Sequence, residues 1–154
     1  KINRRTIQSI ICYYMCWEVT KETERFQTIH NYIEYDTNIV RKGAISAKTG
    51  EKVLIPINMR DGCILGIGKG NEDWNYSAPH GAGRTMSRSK AKESILLEEY
   101  QKAMDGIFTT SVNTSTIDES PMAYKTMDEI IGNIKDTVEI VDIIKPIYNF
   151  KANE

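Results

Sequence analysis

Apolar residues recur at Ile7, Ile10, Ile11 and Tyr14, three or four positions apart, which predicts a helix over Arg5 to Trp17 with one apolar face. A polar stretch, Glu18 to Gln27, follows it. Between residues 32 and 68 the pattern changes to β-branched and aromatic positions, interrupted at Lys48-Thr49-Gly50-Glu51 and Arg60-Asp61-Gly62-Cys63, both suited to tight turns. Antiparallel strands are therefore predicted near Ile33 to Arg41, Ala44 to Ala47, Lys52 to Ile57 and Cys63 to Ile67. Residues 68 to 89 are rich in Gly, Ser, Asn and Pro and lack an apolar period, so they predict a long loop, a kind of segment that often carries function. Ser89 or a near neighbour caps a predicted helix from Lys90 to Met104, with Leu96, Tyr100 and Met104 on one face and Gly106 as its stop. Thr126 and Glu129 have capping-box spacing ahead of a short helix to about Lys135. Val138 to Ile144 is rich enough in β-branched residues to predict a strand ending at Pro146. These elements describe an α+β fold, mostly antiparallel sheet with helices packed on the faces.

Composition narrows the function only a little. The 154 residues fit one ordinary domain. Lys and Arg total 20 against 21 Asp and Glu, so there is no global electrostatic case for nucleic acid, and a basic patch has to be local. The densest is Arg84, Arg88, Lys90 and Lys92, with no acid among residues 84–92. Three cysteines leave one unpaired under any disulfide scheme, and nothing resembles a secretory signal, so a reducing cytoplasm is the expected compartment. Cys12 and Cys16 read as buried small residues, because two ligands alone do not make a zinc site. The stretch Ile10 to Trp17 is too short and too mixed to span a bilayer, so no membrane partner is expected. Gly66-Ile67-Gly68-Lys69-Gly70 is followed by Asn71 rather than Ser or Thr, which argues against a P-loop.

The chemistry concentrates at Pro79-His80-Gly81-Ala82-Gly83-Arg84. Two glycines let backbone approach a phosphate and present N–H groups to its oxygens, and Arg84 offers a planar, permanently charged phosphate partner. The His80 imidazole between them is suited to act as a base, a metal ligand or a phosphoryl acceptor. A lone loop histidine is also often ordinary surface.

The longer string Ser77-Ala78-Pro79-His80-Gly81-Ala82-Gly83-Arg84, with Met86-Ser87-Arg88 and Ala91-Lys92, resembles the signature of the RtcB RNA-splicing ligases. His30-Asn31-Tyr32 resembles that family's His-Asn element, and Arg41-Lys42-Gly43-Ala44 follows at the expected distance. Leu54-Ile55-Pro56, then Asn58-Met59-Arg60-Asp61-Gly62, is similar to its guanylate-pocket segment. Ala123-Tyr124-Lys125, Lys145-Pro146-Ile147 and Phe150-Lys151-Ala152 complete an ordered series from roughly His30 to Ala152.

The resemblance implies that His80 is the catalytic nucleophile that attacks GTP and carries GMP as a phosphoramidate. It implies that His30 is a manganese ligand with Asn31 beside it, and that Gly81, Ala82 and Gly83 lie against the guanylate phosphate or ribose. Pro56, Asn58 and Cys63 would line the nucleotide pocket, with Tyr124 and Lys151 against the guanine or its nucleotide. Asn58 and Cys63 depart from the family pattern, which has serines there in many members, so a divergent subfamily is implied. The implied cofactors are GTP and Mn2+. The implied activity joins RNA 3′-phosphate or 2′,3′-cyclic phosphate ends, such as tRNA halves or broken RNA, to 5′-hydroxyl ends.

With two histidines in the chain, the remaining ligands of a two-manganese site are not identifiable. The expectation is therefore a carboxyl-terminal portion, with residues 1–29 a helical remnant of a larger domain and 30–154 a guanylate-binding region. A missing amino-terminal half is the expected partner. Two alternatives stand beside the ligase: a catalytically inactive nucleotide- or RNA-binding module, and a phosphodiesterase or nucleotidyl-transfer enzyme using the same histidine.

Overall fold

A computed structural model describes residues 2–20 and 25–151 of the chain. Ala152, the last residue of the Phe150-Lys151-Ala152 string, lies outside them. Strands β4 (Lys52–Asn58) and β5 (Gly62–Gly68) form an antiparallel hairpin, and β7 (Val138–Ile144) adds antiparallel to β5, giving the order β4-β5-β7. Pro56 is accommodated because β4 is an edge strand, and the register shifts just beyond it. Strand alternation sends Val53, Ile55, Ile57 and Ile64 to one face, where they are at most 3% exposed. Helix α4 (Met127–Ile134) covers that face through Ile130 and Ile134, joined by Ile45, Ala78, Ala82 and Val138. Burying one such isoleucine contributes roughly 1.5–3 kcal/mol, so this layer is the main source of cohesion. The Thr126 hydroxyl accepts from the Glu129 amide at 3.2 Å, fixing the start of α4 at the predicted cap.

Predicted strand Ile33 to Arg41 is instead a hairpin, β1 (Tyr32–Glu34) and β2 (Ile39–Arg41), reversed at residues 35–38 with Asn38 at φ 56°. Asparagine tolerates this left-handed backbone, so the turn needs no glycine to mark it. The predicted loop over 68–89 contains a 3-10 turn, Glu72–Trp74, and strand β6 (Ser77–Pro79), which pairs antiparallel with β3 (Ala44–Ser46). His80 thus leaves the end of a strand. Gly66 and Gly68 lie within β5, and Lys69 Nζ donates to the Lys135 carbonyl, so this glycine-rich stretch is sheet rather than a phosphate loop.

The helix predicted from Lys90 to Met104 is broken into α2 (Arg88–Ser94) and α3 (Leu97–Ala103). Ile95 and Leu96 are extended between them, at ψ 126° and 142°. The cap of α2 is Ser87, whose hydroxyl accepts from the Lys90 amide. The break lets Ile95 enter a second core with Met59, Ala91, Tyr100, Met104 and Ile117, while Leu96, 63% exposed, leaves the predicted apolar face. Tertiary burial overrides local helix preference here.

At the amino terminus, α1 (Ile2–Tyr14) forms as periodicity predicts but buries none of its residues. Cys12 is half-buried and Cys16 exposed, which corrects the expectation of buried cysteines, since no residue of the helix is buried. All three cysteines are free, and no helix among the described residues is long and apolar enough to cross a membrane.

Candidate active site

A cleft of about 920 Å³ opens beside the two cores. His30, His80, Gly81, Ala82 and Gly83 contribute to its wall. Pro56, Asn58 and Cys63 add the β4–β5 hairpin, and Tyr124 and Lys151 come from the carboxyl-terminal third. Every residue singled out for the site lines this cleft except Asn31.

His80 is fixed from its Nδ1 side. That nitrogen lies 2.6 Å from the Gly43 carbonyl oxygen. A carbonyl only accepts, so Nδ1 carries the proton and the lone pair of the neutral ring resides on Nε2. Gly43 is held in turn by Asn31, whose Oδ1 accepts from the Gly43 amide at 2.7 Å. Gly43 adopts φ +66°, a backbone region that costs other residues strain, so the acceptor carbonyl rests on a glycine-specific bend. Asn31 itself stands at φ 60°. On the other side, the His30 ring stacks on His80 with centroids 4.8 Å apart and planes inclined by 23°.

The Gly81–Gly83 segment runs between β4 and residues 123–125. Ala82 N donates to the Pro56 carbonyl at 3.0 Å, Lys125 N to the Gly83 carbonyl at 3.1 Å, and Thr85 N to the Ala123 carbonyl at 3.0 Å. Gly83 takes φ +73° with open space where a side chain would stand. Pro56 and Cys63 are cross-strand partners. Burial pushes the Cys63 thiol upward, so it is protonated at neutral pH and offers only a weak hydrogen bond. Asn58 is committed within its own turn: its Oδ1 accepts from the amides of Arg60 and Asp61, and its Nδ2 donates to the Asp61 carboxylate at 2.8 Å.

Arg84 corrects the reading of it as an open phosphate partner. Its guanidinium donates to the Asp118 carbonyl at 2.6 Å, the Glu119 carboxylate at 2.6 Å and the Tyr124 hydroxyl at 2.9 Å. It also lies 4.7 Å from the centre of the Tyr124 ring. Arg88 and Lys92 of the basic run also meet the Asp118 carboxylate, at 3.0 and 3.6 Å. Asp118, only 2% exposed, and Glu119 were not among the residues singled out by sequence. The Asp-Glu pair alone carries no signal, and its partners are about thirty residues distant in sequence.

Glu119 is the junction of the cleft's polar wall. Its Oε2 accepts from the Tyr124 hydroxyl at 2.8 Å and lies 3.1 Å from Lys151 Nζ, while Oε1 receives Arg84. Burial raises the Glu119 carboxyl, but hydrogen bonds from Tyr124 and Lys151 and the charges of Lys151 and Arg84 reverse this and hold it below its ordinary range. Tyr124 is pushed up to about 12, first by burial and then by its bond to Glu119. Both are therefore in fixed states at neutral pH, an anion and a neutral phenol.

The fit to a divalent metal is poor. No group of three His, Cys, Asp or Glu side chains that could hold an ion exists among the described residues. His30 is a single candidate ligand, and one imidazole does not fix an ion such as manganese.

Comparison with known proteins agrees with the ordered motifs. The family model "tRNA-splicing ligase RtcB" matches residues 1–152, so the likeness extends through the amino-terminal helix as well as the His30 to Ala152 series. The "RNA-splicing ligase RtcB1" of Escherichia coli strain ATCC 25922 is 32% identical over 152 residues, 95% of this chain and 37% of that protein. The "RNA-splicing ligase RtcB" of Escherichia coli strain K12 is 34% identical over 139 residues, 86% of this chain and 34% of the other. A "tRNA-splicing ligase RtcB" of Aeropyrum pernix is 41% identical over 86 residues, 53% of this chain and 18% of its own length. The chain thus spans a little over one third of the Escherichia coli relatives it matches. A match along nearly all of its length, together with a cleft that gathers the motif residues, makes the chain a member of the RtcB tRNA-splicing ligase family.

Proposed function

We propose that the cleft binds a guanine nucleotide and that His80 accepts its guanylate, as part of a ligase joining RNA 3′-phosphate or 2′,3′-cyclic phosphate ends to 5′-hydroxyl ends. The observation that carries this reading is the 2.6 Å contact of His80 Nδ1 with the Gly43 carbonyl, which leaves the ring's lone pair on Nε2. Nε2 attacks the α-phosphorus of GTP, an N–P bond forms as the bond to pyrophosphate breaks, and the proton stays on Nδ1, donated to the Gly43 carbonyl. A 2′,3′-cyclic end first takes up water, which breaks the bond from phosphorus to O2′ and leaves a 2′-hydroxyl and a 3′-phosphate. An oxygen of the RNA 3′-phosphate then attacks the guanylate phosphorus as the imidazole leaves, which places GMP on the RNA end. Attack by a 5′-hydroxyl on the activated RNA phosphate, with loss of its proton, expels GMP and closes the phosphodiester.

In this scheme Gly81 to Gly83 bring backbone close to the phosphate, and Tyr124 and Lys151 face the base. The manganese implied by the family has His30 as its one candidate ligand here, so its remaining ligands have to come from outside the described residues, and no step above is assigned to it. That shortage favours a second reading for this chain by itself, a nucleotide-binding module that becomes a ligase only with an amino-terminal portion in place.

The test is joining of a 3′-phosphate RNA to a 5′-hydroxyl RNA in GTP, by the chain alone and with an amino-terminal portion supplied. Joining that disappears in His80→Ala supports the ligase reading. Joining by His80→Ala at the parental rate, or with no nucleotide added, contradicts it.

A further inference from the structure

Glu119 gathers three of the cleft's polar groups on one carboxylate. Tyr124 and Lys151 both reach Oε2, at 2.8 and 3.1 Å, and Arg84 reaches Oε1 at 2.6 Å. The carboxylate is 15% exposed, whereas the Lys151 side chain is 40% exposed. An exposed ammonium ordinarily sweeps a large volume, since lysine loses up to about 2 kcal/mol of rotamer entropy when fixed. Lys151 is restrained at two points: its ammonium by Glu119, and its backbone amide, which donates to Ser111 Oγ at 2.8 Å.

An ammonium has three donors and no acceptor, so the Glu119 contact leaves donors to face the cleft. Guanine presents two acceptors, O6 and N7, along one edge, whereas adenine presents N7 beside the N6 amino donors. A donor held in place beside the base therefore favours guanine and opposes adenine. The same ammonium free to swing away would discriminate poorly. Tyr124 is oriented by the same anion, donating to Glu119 while accepting from Arg84.

We propose that Glu119 is a positioning residue that holds Lys151 and Tyr124 against the base edge and thereby sets the preference for guanine over adenine. The inference rests on the guanylate reading of the cleft. Glu119 acts through its neighbours and takes no part in the transfer at His80.

The experiment measures binding of fluorescent N-methylanthraniloyl GTP and ATP to the full chain, its Glu119→Gln variant, Lys151→Met and the double variant. Glu119→Gln preserves shape and Glu119→Asp serves as a second variant that retains charge. Loss of one charge-assisted contact predicts that Glu119→Gln weakens GTP binding about tenfold with ATP little changed. Glu119→Asp retains more of the preference than Glu119→Gln. In the Lys151→Met background the Glu119→Gln change has a smaller effect than in the parent, because only Tyr124 is left for it to act through. Equal weakening of both nucleotides, or a full additive effect in that background, overturns the proposal. Binding of GTP by the parent with no change in Glu119→Gln sinks this proposal alone. A parent that binds neither nucleotide sinks the guanylate reading and this proposal with it.

Discussion

His30 and His80 stack with their ring centroids 4.8 Å apart and their planes inclined by only 23°. The two rings come from separate segments: His30 from the loop before β1, His80 from the end of β6. Stacking and the Nδ1 bond to Gly43 together restrain the His80 ring on a face and on an edge. His30→Phe should keep the stack and His30→Ala should remove it. The check is the His80 Cε1–H proton shift, which should stay near the parental value in the Phe variant and move in the Ala variant. Identical shifts in all three proteins would contradict the contact.

Asn31 acts on His80 at one remove, through the Gly43 amide. Asn31→Ala should loosen the Gly43 carbonyl and let His80 populate both neutral tautomers. Imidazole 15N shifts report this directly, with the parent showing a protonated Nδ1. Gly43→Ala places a side chain at φ +66° and should cost about 1–2 kcal/mol in urea unfolding. A fully stable Gly43→Ala variant would show that the bend is not as described.

Arg41 is buried at 2% exposure and joins the β1–β2 hairpin to β6, donating to Glu34 at 2.9 Å, Ser77 at 3.0 Å and Tyr32 at 3.2 Å. Removing it takes the guanidinium from Glu34, which keeps Lys48 and Thr37, and breaks the links to Ser77 and Tyr32. Arg41→Ala should lose about 1.5–3 kcal/mol by equilibrium unfolding, the scale of hydrogen bonds to a charged group.

Glu34 gives this link a pH signature. Hydrogen bonds from Lys48, then Arg41, lower its carboxyl from the usual 4.5 to about 2. A carboxyl depressed in the folded state contributes stability above its unfolded value, and that contribution fades as pH falls from about 4.5 toward 2. Parent protein should therefore lose stability across that window more steeply than Glu34→Gln. Parallel curves for the two proteins would remove Glu34 as the cause.

The Ser120 hydroxyl is buried with no hydrogen-bond partner among the described residues, beside Glu119 in sequence. A buried polar group left unsatisfied costs free energy that alanine does not incur, so Ser120→Ala should be neutral or stabilising by on the order of 1 kcal/mol. Thermal unfolding measures it.

Local signals were easy to read in the sequence. The β4–β5 hairpin, the Thr126 cap and β7 follow from alternation, turn residues and capping spacing, all of which act over a few positions. The His80 loop stood out because its glycines and arginine are contiguous. What escaped depends on long-range packing. The break at Ile95 and Leu96 carries no Gly or Pro and follows from burying Ile95 against the second core. Arg84 resembled an open phosphate partner because Asp118 and Glu119, which occupy it, lie 34 and 35 residues away. Periodicity shows that α1 forms, but not that none of its residues is buried.

The most direct test of the account is transfer of GMP to His80. Protein incubated with α-labelled GTP, with and without an amino-terminal portion supplied, should acquire an acid-labile label that maps to the peptide containing His80. The label should be absent with γ-labelled GTP and absent from His80→Ala. Label in His80→Ala equal to the parent, or label mapping to a different residue, would contradict the assignment of His80 as the guanylate acceptor.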